Sequence, residues 1–343
     1  MRLRALLCVG VVVLAFAPGL SAQQLDVRLV TDESEAVLAI LAKKKANEVV
    51  TPADWERVFS SEGYTRLKKR ELSMQRPFED AEFQKFVLSD ELGQRAAALE
   101  QSLSKFKSAD ITRPAQLALA YLPATARIRA KIYPVIKPRE NTFVFEVKTD
   151  PAIFVYLDPT VPQEKFENTL AHELHHIGYG TSCPSSETVA AVAKLSEPAQ
   201  IALRWISAFG EGYAMLAAAG GAKVHPHAVS KSDERARWDR DLKNFNSDLK
   251  KVEAFLLRVL ESKVTGEEMQ KEGFAFFGTQ GPWYTVGWRM VSLIEETYGR
   301  KKLIEVMCDQ RLLLGTYNEA AAAYNRNAKE PLATWSVSVV NFK

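Results

Sequence analysis

The residues of this chain with the clearest chemical potential form one pentapeptide, His172-Glu173-Leu174-His175-His176. On a helix, His172 and His176 lie four positions apart and point the same way, so their neutral imidazoles could bind one zinc ion. Glu173 could reach a water molecule on that ion and act as a general base. The alternative is a surface helix with chance histidines, but the chain contains only five histidines in 343 residues. The spacing therefore predicts a hydrolytic metal site.

The neighbouring residues predict the helix that this site requires. Thr160 and Gln163 have the spacing of a capping box, which predicts that the helix begins there. Gly178 and Gly180 predict that it ends just past His176. Between these limits, apolar residues recur every three or four positions and predict one buried helical face: Phe166, Leu170, Leu174 and Ile177.

Strands are predicted ahead of this helix, and further helices on both sides of it. Short runs rich in β-branched and aromatic residues occur at 128–136, 142–147 and 153–157. The stretch 32–122, in contrast, has apolar residues at helical spacing almost throughout. The predicted fold is therefore α+β and mainly helical, with a small β-sheet preceding the active-site helix. A boundary near residue 125 would separate a helical N-terminal region, 23–125, from a domain at 126–343 that carries the motif.

The first 22 residues have the pattern of a secretory signal peptide. Arg2 and Arg4 precede an apolar run at 5–16, and cleavage is expected after the small residue Ala22. The run is short for a membrane span, although an uncleaved anchor is the alternative. We therefore expect a secreted or periplasmic protein with no stable membrane insertion. Removal of both arginines lowers the formal net charge from +3 to +1, which argues against a nucleic-acid partner.

Two cysteines would remain after cleavage, because Cys8 lies within the predicted signal peptide. Cys183 and Cys308 could form a disulfide bond in an oxidising compartment. Two separate buried thiols are the alternative, and the sequence leaves both open.

A catalytic zinc ion usually has three protein ligands, so a third is needed beyond the two histidines. The metzincin pattern would place a glycine at 179 and a histidine at 182, but this chain has Tyr179 and Ser182 there. A later glutamate is the remaining arrangement. Glu187 follows the histidine helix too closely to turn back easily, and Glu197 precedes a proline, where helical geometry is disfavoured.

Glu211 is the strongest candidate for the third ligand. It lies in the stretch 202–219, which is apolar nearly all round and therefore predicts a buried helix. A lone buried carboxylate costs several kcal/mol unless it is paired or bound to a metal. Gly210 and Gly212 would allow this helix to approach the histidine helix closely. A salt bridge with Arg204 or another buried base is the alternative role for Glu211.

Three segments of the chain resemble the gluzincin zinc metallopeptidases: 171–177, 211–214 and 284–287. They read Ala-His-Glu-Leu-His-His-Ile, Glu-Gly-Tyr-Ala and Tyr-Thr-Val-Gly, and the closest resemblance is to uncharacterised bacterial families of zinc-dependent peptidases. The resemblance implies a zincin-like metallopeptidase domain at 126–343, with Zn2+ bound by His172, His176 and Glu211. It also implies Glu173 as the general base and a peptide or protein as the substrate. Glu211 stands 35 residues after His176, farther than in the thermolysin-like group.

Peptide hydrolysis passes through an oxyanion, which a nearby tyrosine or histidine can stabilise. Tyr284, expected at the start of a helix, is one candidate for this role, with core packing as the alternative. His225 and His227 flank a proline in a predicted loop and could supply the donor or lie in solvent. His175 is offset from the ligand face, which favours core packing or a hydrogen bond behind the ligands.

Apolar residues at spacings of four and three over 238–259 predict an amphipathic helix of about six turns. This helix would either pack along the catalytic domain or form a dimerisation seam. The oligomeric state is therefore open at this stage.

The function predicted from these patterns is an exported zinc metallopeptidase that uses a zinc-activated water and a glutamate base. An endopeptidase and an aminopeptidase both fit, because no acidic pair that would hold a substrate amino group is recognisable. A non-catalytic, zinc-stabilised binding protein of the cell envelope is the alternative from another class.

Overall fold

A computed structural model describes residues 24–341 of the chain. The predicted signal peptide at 1–22 lies outside the described residues and stays a prediction. Within residues 24–341 the chain forms sixteen α-helices, two short 3-10 helices and one four-stranded sheet. This confirms the predicted α+β, mainly helical fold. None of the helices in this range is long and apolar enough to cross a bilayer.

The region before the central strands is helical, as its apolar spacing predicts, and two of its helix starts have serine caps. The side chains of Ser61 and Ser89 accept hydrogen bonds from the backbone N–H groups of Tyr64 and Leu92, at 3.3 and 3.2 Å. Six helices result: α1 (Asp32–Lys45), α2 (Pro52–Phe59), α3 (Glu62–Ser73), α4 (Asp80–Val87), α5 (Asp90–Ser108) and α6 (Thr112–Leu119).

Three of the four strands occupy the predicted segments. The strands are β1 (Leu25–Leu29), β2 (Ile128–Val135), β3 (Phe143–Phe145) and β4 (Ala152–Tyr156). Their spatial order is β1-β2-β4-β3, with β1, β2 and β4 parallel and β3 antiparallel to β4. β1 is not among the predicted strands, because it is short, only partly buried and close to the predicted signal peptide. It pairs with β2 across the boundary predicted near residue 125.

Different helices cover the two faces of the sheet. Alternate residues of a strand point to opposite faces, and Ile128 and Ile132 of β2 belong to the main core. That face is covered by α7 (Gln163–Ser182), the helix that carries the pentapeptide. On the opposite face, Tyr133 stacks on Phe154 in a smaller cluster that includes Leu67 of α3. The sheet therefore separates the pentapeptide from α3.

The rest of the chain is helical. It forms α8 (Ser186–Val192), α9 (Glu197–Ile206), α10 (Gly210–Ala219), α11 (Ser232–Leu242), α12 (Phe245–Leu260), α13 (Gly266–Ala275), α14 (Pro282–Cys308), α15 (Leu313–Asn325) and α16 (Val337–Val340). The 3-10 helices are Ser207–Phe209 and Gln310–Leu312. α10 packs against both α7 and α14, so these three helices form the centre of the fold.

The capping box predicted for the start of α7 is wrong. The helix begins at Gln163 with Pro162 as its N-cap, and no side-chain hydrogen bond caps it. Helical geometry is disfavoured at the residue before a proline, here the residue before Pro162, and this favours a helix start later than Thr160. The backbone N–H of Thr160 donates instead to the carboxylate of Asp158, at 2.7 Å.

The end predicted for α7 is also wrong, because the helix continues through Gly178 and Gly180 to Ser182. A Cβ on Gly178 would overlap the side chain of Leu122. This glycine therefore permits close packing and does not terminate the helix.

Two stretches predicted as continuous helices are each divided in two. The stretch 202–219 forms α9 and α10, with the 3-10 helix Ser207–Phe209 between them. The hydroxyl of Ser207 donates to a backbone carbonyl one turn earlier, at 2.9 Å, a bond that often bends helices. The stretch 238–259 is divided between α11 and α12. Trp238 and Leu256 on these helices are buried within the chain, which favours packing along the domain over a free dimerisation seam.

Cys183 and Cys308 are joined by a disulfide bond, which decides between the alternatives that the sequence leaves open. Cys183 directly follows α7, and Cys308 is the last residue of α14. The bond therefore connects the C-terminal ends of two of the three central helices.

We expect that replacing both cysteines by alanine lowers the free energy of unfolding by about 2–5 kcal/mol. The bond joins positions 125 residues apart, so it removes a large loop-closure entropy from the unfolded chain. Urea denaturation of the wild type and of the Cys183→Ala/Cys308→Ala double variant measures the difference. A reductant should lower the free energy of unfolding of the wild type and leave that of the double variant unchanged. Equal free energies of unfolding for the two proteins without reductant would contradict a stabilising role of the disulfide bond.

Candidate metal centre

α7 brings His172 and His176 to one face, one turn apart. Their Nε2 atoms lie 3.1 Å from each other, and the two side chains are 14% and 22% exposed. The apolar face predicted for this helix is fully buried: Phe166, Leu170, Leu174 and Ile177. The pentapeptide therefore lies on a half-buried helix, which is the context that a metal site needs.

Glu211, in the first turn of α10, forms a three-residue cluster with these two histidines. Its Oε2 lies 3.1 Å from Nε2 of His172 and 3.3 Å from Nε2 of His176. The three ligand atoms all lie within 4.8 Å of one another. Two imidazole nitrogens and one carboxylate oxygen are donors that zinc prefers, in the number typical of catalytic zinc sites. The residues present therefore fit a zinc ion.

The other carboxylates considered as ligands lie elsewhere. Glu187 is in the first turn of α8, and Glu197 is the first residue of α9. Neither belongs to the metal-ligating group found among residues 24–341. The expectation that Glu197 is unsuited to a helix is wrong, because a proline is tolerated in the first turn.

A pair of glycines lets α10 approach α14 and so helps to fix the position of Glu211. A Cβ on Gly212 would overlap the backbone of Gly287, and a Cβ on Gly287 would lie 3.2 Å from the carbonyl oxygen of Phe209. Open space surrounds the position that a Cβ on Gly210 would take. Of the two predicted glycines, Gly210 and Gly212, only Gly212 makes a close approach, and its nearest neighbours belong to α14 rather than to the histidine helix.

Glu211 and His176 stabilise each other's charged forms. Burial alone would raise the pKa of Glu211, but the imidazoles of His176 and His172 hold it well below its usual range. Burial alone would lower the pKa of His176, but the Glu211 carboxylate raises it to about 9. Because a metal binds only the neutral imidazole, protons compete with a metal for the imidazole of His176.

Glu173 lies beside the cluster as the residue that follows His172, and it is half-buried. Burial raises its pKa, although the neighbouring His172 and His176 act in the opposite direction. A carboxylate with a raised pKa is a better proton acceptor near neutral pH than an exposed one. The position and environment of Glu173 therefore suit a general base.

Tyr284, in the first turn of α14, also lies beside the cluster. Its ring is nearly parallel to that of His172, at 15°, with the ring centroids 6.5 Å apart. Burial, followed by the carboxylates of Glu211 and Glu173, raises the pKa of Tyr284 above its usual range. Its hydroxyl therefore stays protonated and can donate a hydrogen bond.

His225 and His227 make their polar contacts elsewhere. Nε2 of His225 lies 2.9 Å from a carboxylate oxygen of Asp239, and Nδ1 of His227 lies 2.9 Å from the hydroxyl of Ser230. Burial lowers the pKa of His227 to about 4. In the part of the chain that the structure describes, neither histidine belongs to the metal-ligating group.

His175 lies on the buried side of α7 and is only 1% exposed. Burial lowers its pKa to about 3, so its imidazole is neutral near pH 7. This environment suits core packing, one of the two roles that its offset position on the helix predicts.

Phe277 lies next to Tyr284 and, together with Phe274 of the same run, forms what we call the aromatic ledge. The ring centroid of Phe277 lies 6.3 Å from that of Tyr284 and 6.1 Å from that of Phe274. Phe274 is 61% exposed. The ledge therefore places apolar surface close to the cluster.

A family model described as "putative zinc dependent peptidase (DUF5700)" matches residues 30–326. The match spans α7, α10 and α14, the helices that carry the cluster and Tyr284. Its description supports Zn2+ as the cofactor and a peptide or protein as the substrate. No curated protein and no solved structure matches the chain.

Proposed function

The chain belongs to this family of zinc-dependent peptidases, and on that premise we propose that it is an exported metallopeptidase of the gluzincin type. His172, His176 and Glu211 would be the three protein ligands of zinc. The observation that carries this proposal is the convergence of their ligand atoms within 4.8 Å, from two helices that are distant in sequence. The sheet, the histidine helix α7 and the later glutamate helix α10 support a zincin-like arrangement of the domain.

A zinc ion held by His172, His176 and Glu211 would polarise the scissile carbonyl group and lower the pKa of a bound water molecule. The carboxylate of Glu173 accepts the proton from the attacking water and then delivers it to the amine of the departing peptide. The hydroxyl of Tyr284 donates a hydrogen bond to the carbonyl oxygen as negative charge develops on it. Partial burial of this site strengthens the electrostatic stabilisation of the carbonyl oxygen, because the local dielectric constant is lower than that of water.

We expect that Tyr284→Phe lowers kcat for peptide hydrolysis by about 10²- to 10³-fold, which is the usual effect of removing one oxyanion donor. KM and zinc content should change little, because the aromatic ring and the three ligands remain. Tyr298→Phe is a matched control, since Tyr298 is an exposed residue of the same helix. Equal kcat values for Tyr284→Phe and the wild type would exclude the hydroxyl from the reaction.

Two features, one in contact with α7 and the other next to Tyr284, could bind a peptide. β3 is an edge strand that pairs only with β4 and contacts α7. An extended peptide can pair with such a free edge through backbone hydrogen bonds. The aromatic ledge of Phe274 and Phe277 offers apolar surface to a substrate side chain. Together they favour an extended peptide with an apolar side chain near the scissile bond.

Export is supported by two independent observations. The sequence pattern of residues 1–22 is that of a signal peptide. The disulfide bond between Cys183 and Cys308 suits an oxidising compartment such as the periplasm or the extracellular space.

A peptide-library digestion tests the proposed activity directly. The mature, zinc-loaded chain is incubated with the library, and mass spectrometry identifies the cleaved bonds. Cleavage that stops on treatment with a zinc chelator and returns when zinc is added back supports the proposal. A zinc-loaded chain that cleaves none of the peptides would favour the non-catalytic, zinc-stabilised binding protein.

A further inference from the structure

A cavity of about 410 Å3 lies on the face of the sheet that is turned away from α7. Its walls come from α3, α4, the segment between them, and the residues that follow β2. One wall residue, Leu67, belongs to the small cluster on this face. No residue of the metal cluster lines the cavity, so it is separate from the proposed active site.

The first unusual feature of this cavity is a buried lysine. Lys137 is only 4% exposed, and burial lowers its pKa to about 8. Its ammonium group donates to the side-chain oxygen of Asn141 at 2.6 Å and to the backbone carbonyl of Arg139. Both acceptors are neutral. The carboxylate of Glu71 favours the protonated lysine, whereas the nearby Arg70, Arg139 and Arg76 oppose it. A further negative charge in the cavity would therefore stabilise this buried cation.

The second unusual feature is an arginine with unused donors. Nη2 of Arg76 is buried and has no hydrogen-bond partner among the residues that the structure describes. Nε of Arg76 lies 3.3 Å from Oε2 of Glu71, but the other oxygen of Glu71 accepts from Arg70 at 2.6 Å. One carboxylate is therefore shared by two guanidinium groups. A buried donor without a partner costs free energy that an anionic ligand would recover.

The charges that line the cavity do not balance locally. The cations Arg76, Lys137 and Arg139 face the carboxylates Glu71 and Glu82. Glu71 is already shared, and Glu82 accepts a backbone N–H at the start of α4, at 3.1 Å. Arg139 is exposed at the mouth of the cavity, and it forms no ion pair within residues 24–341. The cavity therefore favours a negative charge.

The remaining wall is apolar. Phe83 is 2% exposed, and its ring centroid lies 6.1 Å from that of Phe78. Leu67 and two prolines, Pro77 and Pro138, complete this side. A volume of this size lies within the range of small-molecule sites, in which an apolar wall and a few polar groups together fix the ligand.

We propose that this cavity binds a small organic anion that has a carboxylate at one end and an apolar or aromatic group at the other. The carboxylate pairs with Nη2 of Arg76 and the ammonium group of Lys137, with Arg139 closing the mouth. The apolar group packs on Phe78 and Phe83. This site goes beyond the proposed peptidase activity and does not depend on it.

Titration calorimetry with N-acetylphenylalanine tests this proposal, because the compound has both a carboxylate and a phenyl ring. The zinc-loaded chain should bind it with a Kd on the order of one millimolar. The neutral N-acetylphenylalanine amide should bind at least about tenfold more weakly, because it cannot form charge-assisted hydrogen bonds. Lys137→Met and Arg139→Gln should each weaken binding of the acid by about tenfold. Lys85→Met, which removes an exposed charge from α4 outside the cavity, should leave binding unchanged.

His176→Ala distinguishes the cavity from the metal cluster, since a carboxylate can also bind to zinc. Binding of the acid should survive in this variant. Because Arg139 is exposed, Arg139→Gln keeps the test valid even if the buried Lys137→Met fails to fold. The proposal is overturned if no binding is measured, if acid and amide bind equally, if Arg139→Gln binds like the wild type, or if binding disappears in His176→Ala.

Discussion

Replacing Glu173 by glutamine is expected to reduce peptide hydrolysis by about 10²- to 10⁴-fold while zinc stays bound. Glutamine has nearly the same shape as glutamate, but its amide cannot accept the proton of the attacking water. Glu173 is not a member of the ligand cluster, so its loss leaves the three donors in place. Steady-state kinetics on a cleaved library peptide, together with zinc analysis of the same preparation, measure both quantities.

Glu164→Gln is the matched control for this experiment, because Glu164 is an exposed residue of the same helix. It should retain full activity and full zinc content. Loss of zinc in Glu173→Gln would show that this carboxylate is a ligand. Unchanged activity would show that another group accepts the proton.

Replacing Glu211 by alanine is expected to weaken zinc binding by more than about a hundredfold and to abolish hydrolysis. The variant removes one of three ligands and leaves His172 and His176 with an incomplete site. Competition with a chromophoric chelator measures the zinc affinity of wild type and variant. His176→Ala should give a loss of similar size, because it removes a ligand of the same set.

Glu187→Ala is the control for Glu211→Ala, since it removes a carboxylate that also follows the histidine helix but lies outside the cluster. Its zinc affinity should equal that of the wild type. A loss of zinc in Glu187→Ala with full retention in Glu211→Ala would contradict our assignment and would place the third ligand on α8.

The part of the site that follows from local sequence spacing was predictable. His172 and His176 are four positions apart, and helix geometry alone brings their imidazoles to one face. The apolar spacing of the same helix also predicts its buried side, which the structure confirms at Leu170 and Leu174. The free-energy cost of burying a lone carboxylate separately predicts that Glu211 has a partner, although it does not identify that partner.

The end of α7 was not predictable, because tertiary packing decides it. Gly178 has the sequence signature of a helix end, yet it lies within α7 and makes room for Leu122. Gly212 likewise contacts Gly287, a residue 75 positions later in the chain. No local pattern identifies which surface a small residue will meet.

The cavity on the sheet face opposite α7 was likewise not predictable from the sequence. Arg76 lies between α3 and α4, whereas Lys137 follows β2. Each residue by itself resembles an ordinary surface charge in the sequence. Their common environment arises only because α3 packs on the sheet face opposite α7. Long-range contacts of this kind leave no periodic signal in the sequence.

Anomalous X-ray diffraction from crystals of the zinc-loaded chain, recorded on both sides of the zinc absorption edge, tests the assignment of the metal centre most directly. We predict one strong peak, about 2.0–2.2 Å from Nε2 of His172, Nε2 of His176 and a carboxylate oxygen of Glu211. One coordination position should be left to solvent. A peak bound by other residues, or the absence of a peak at this cluster in zinc-loaded crystals, would contradict the proposed site.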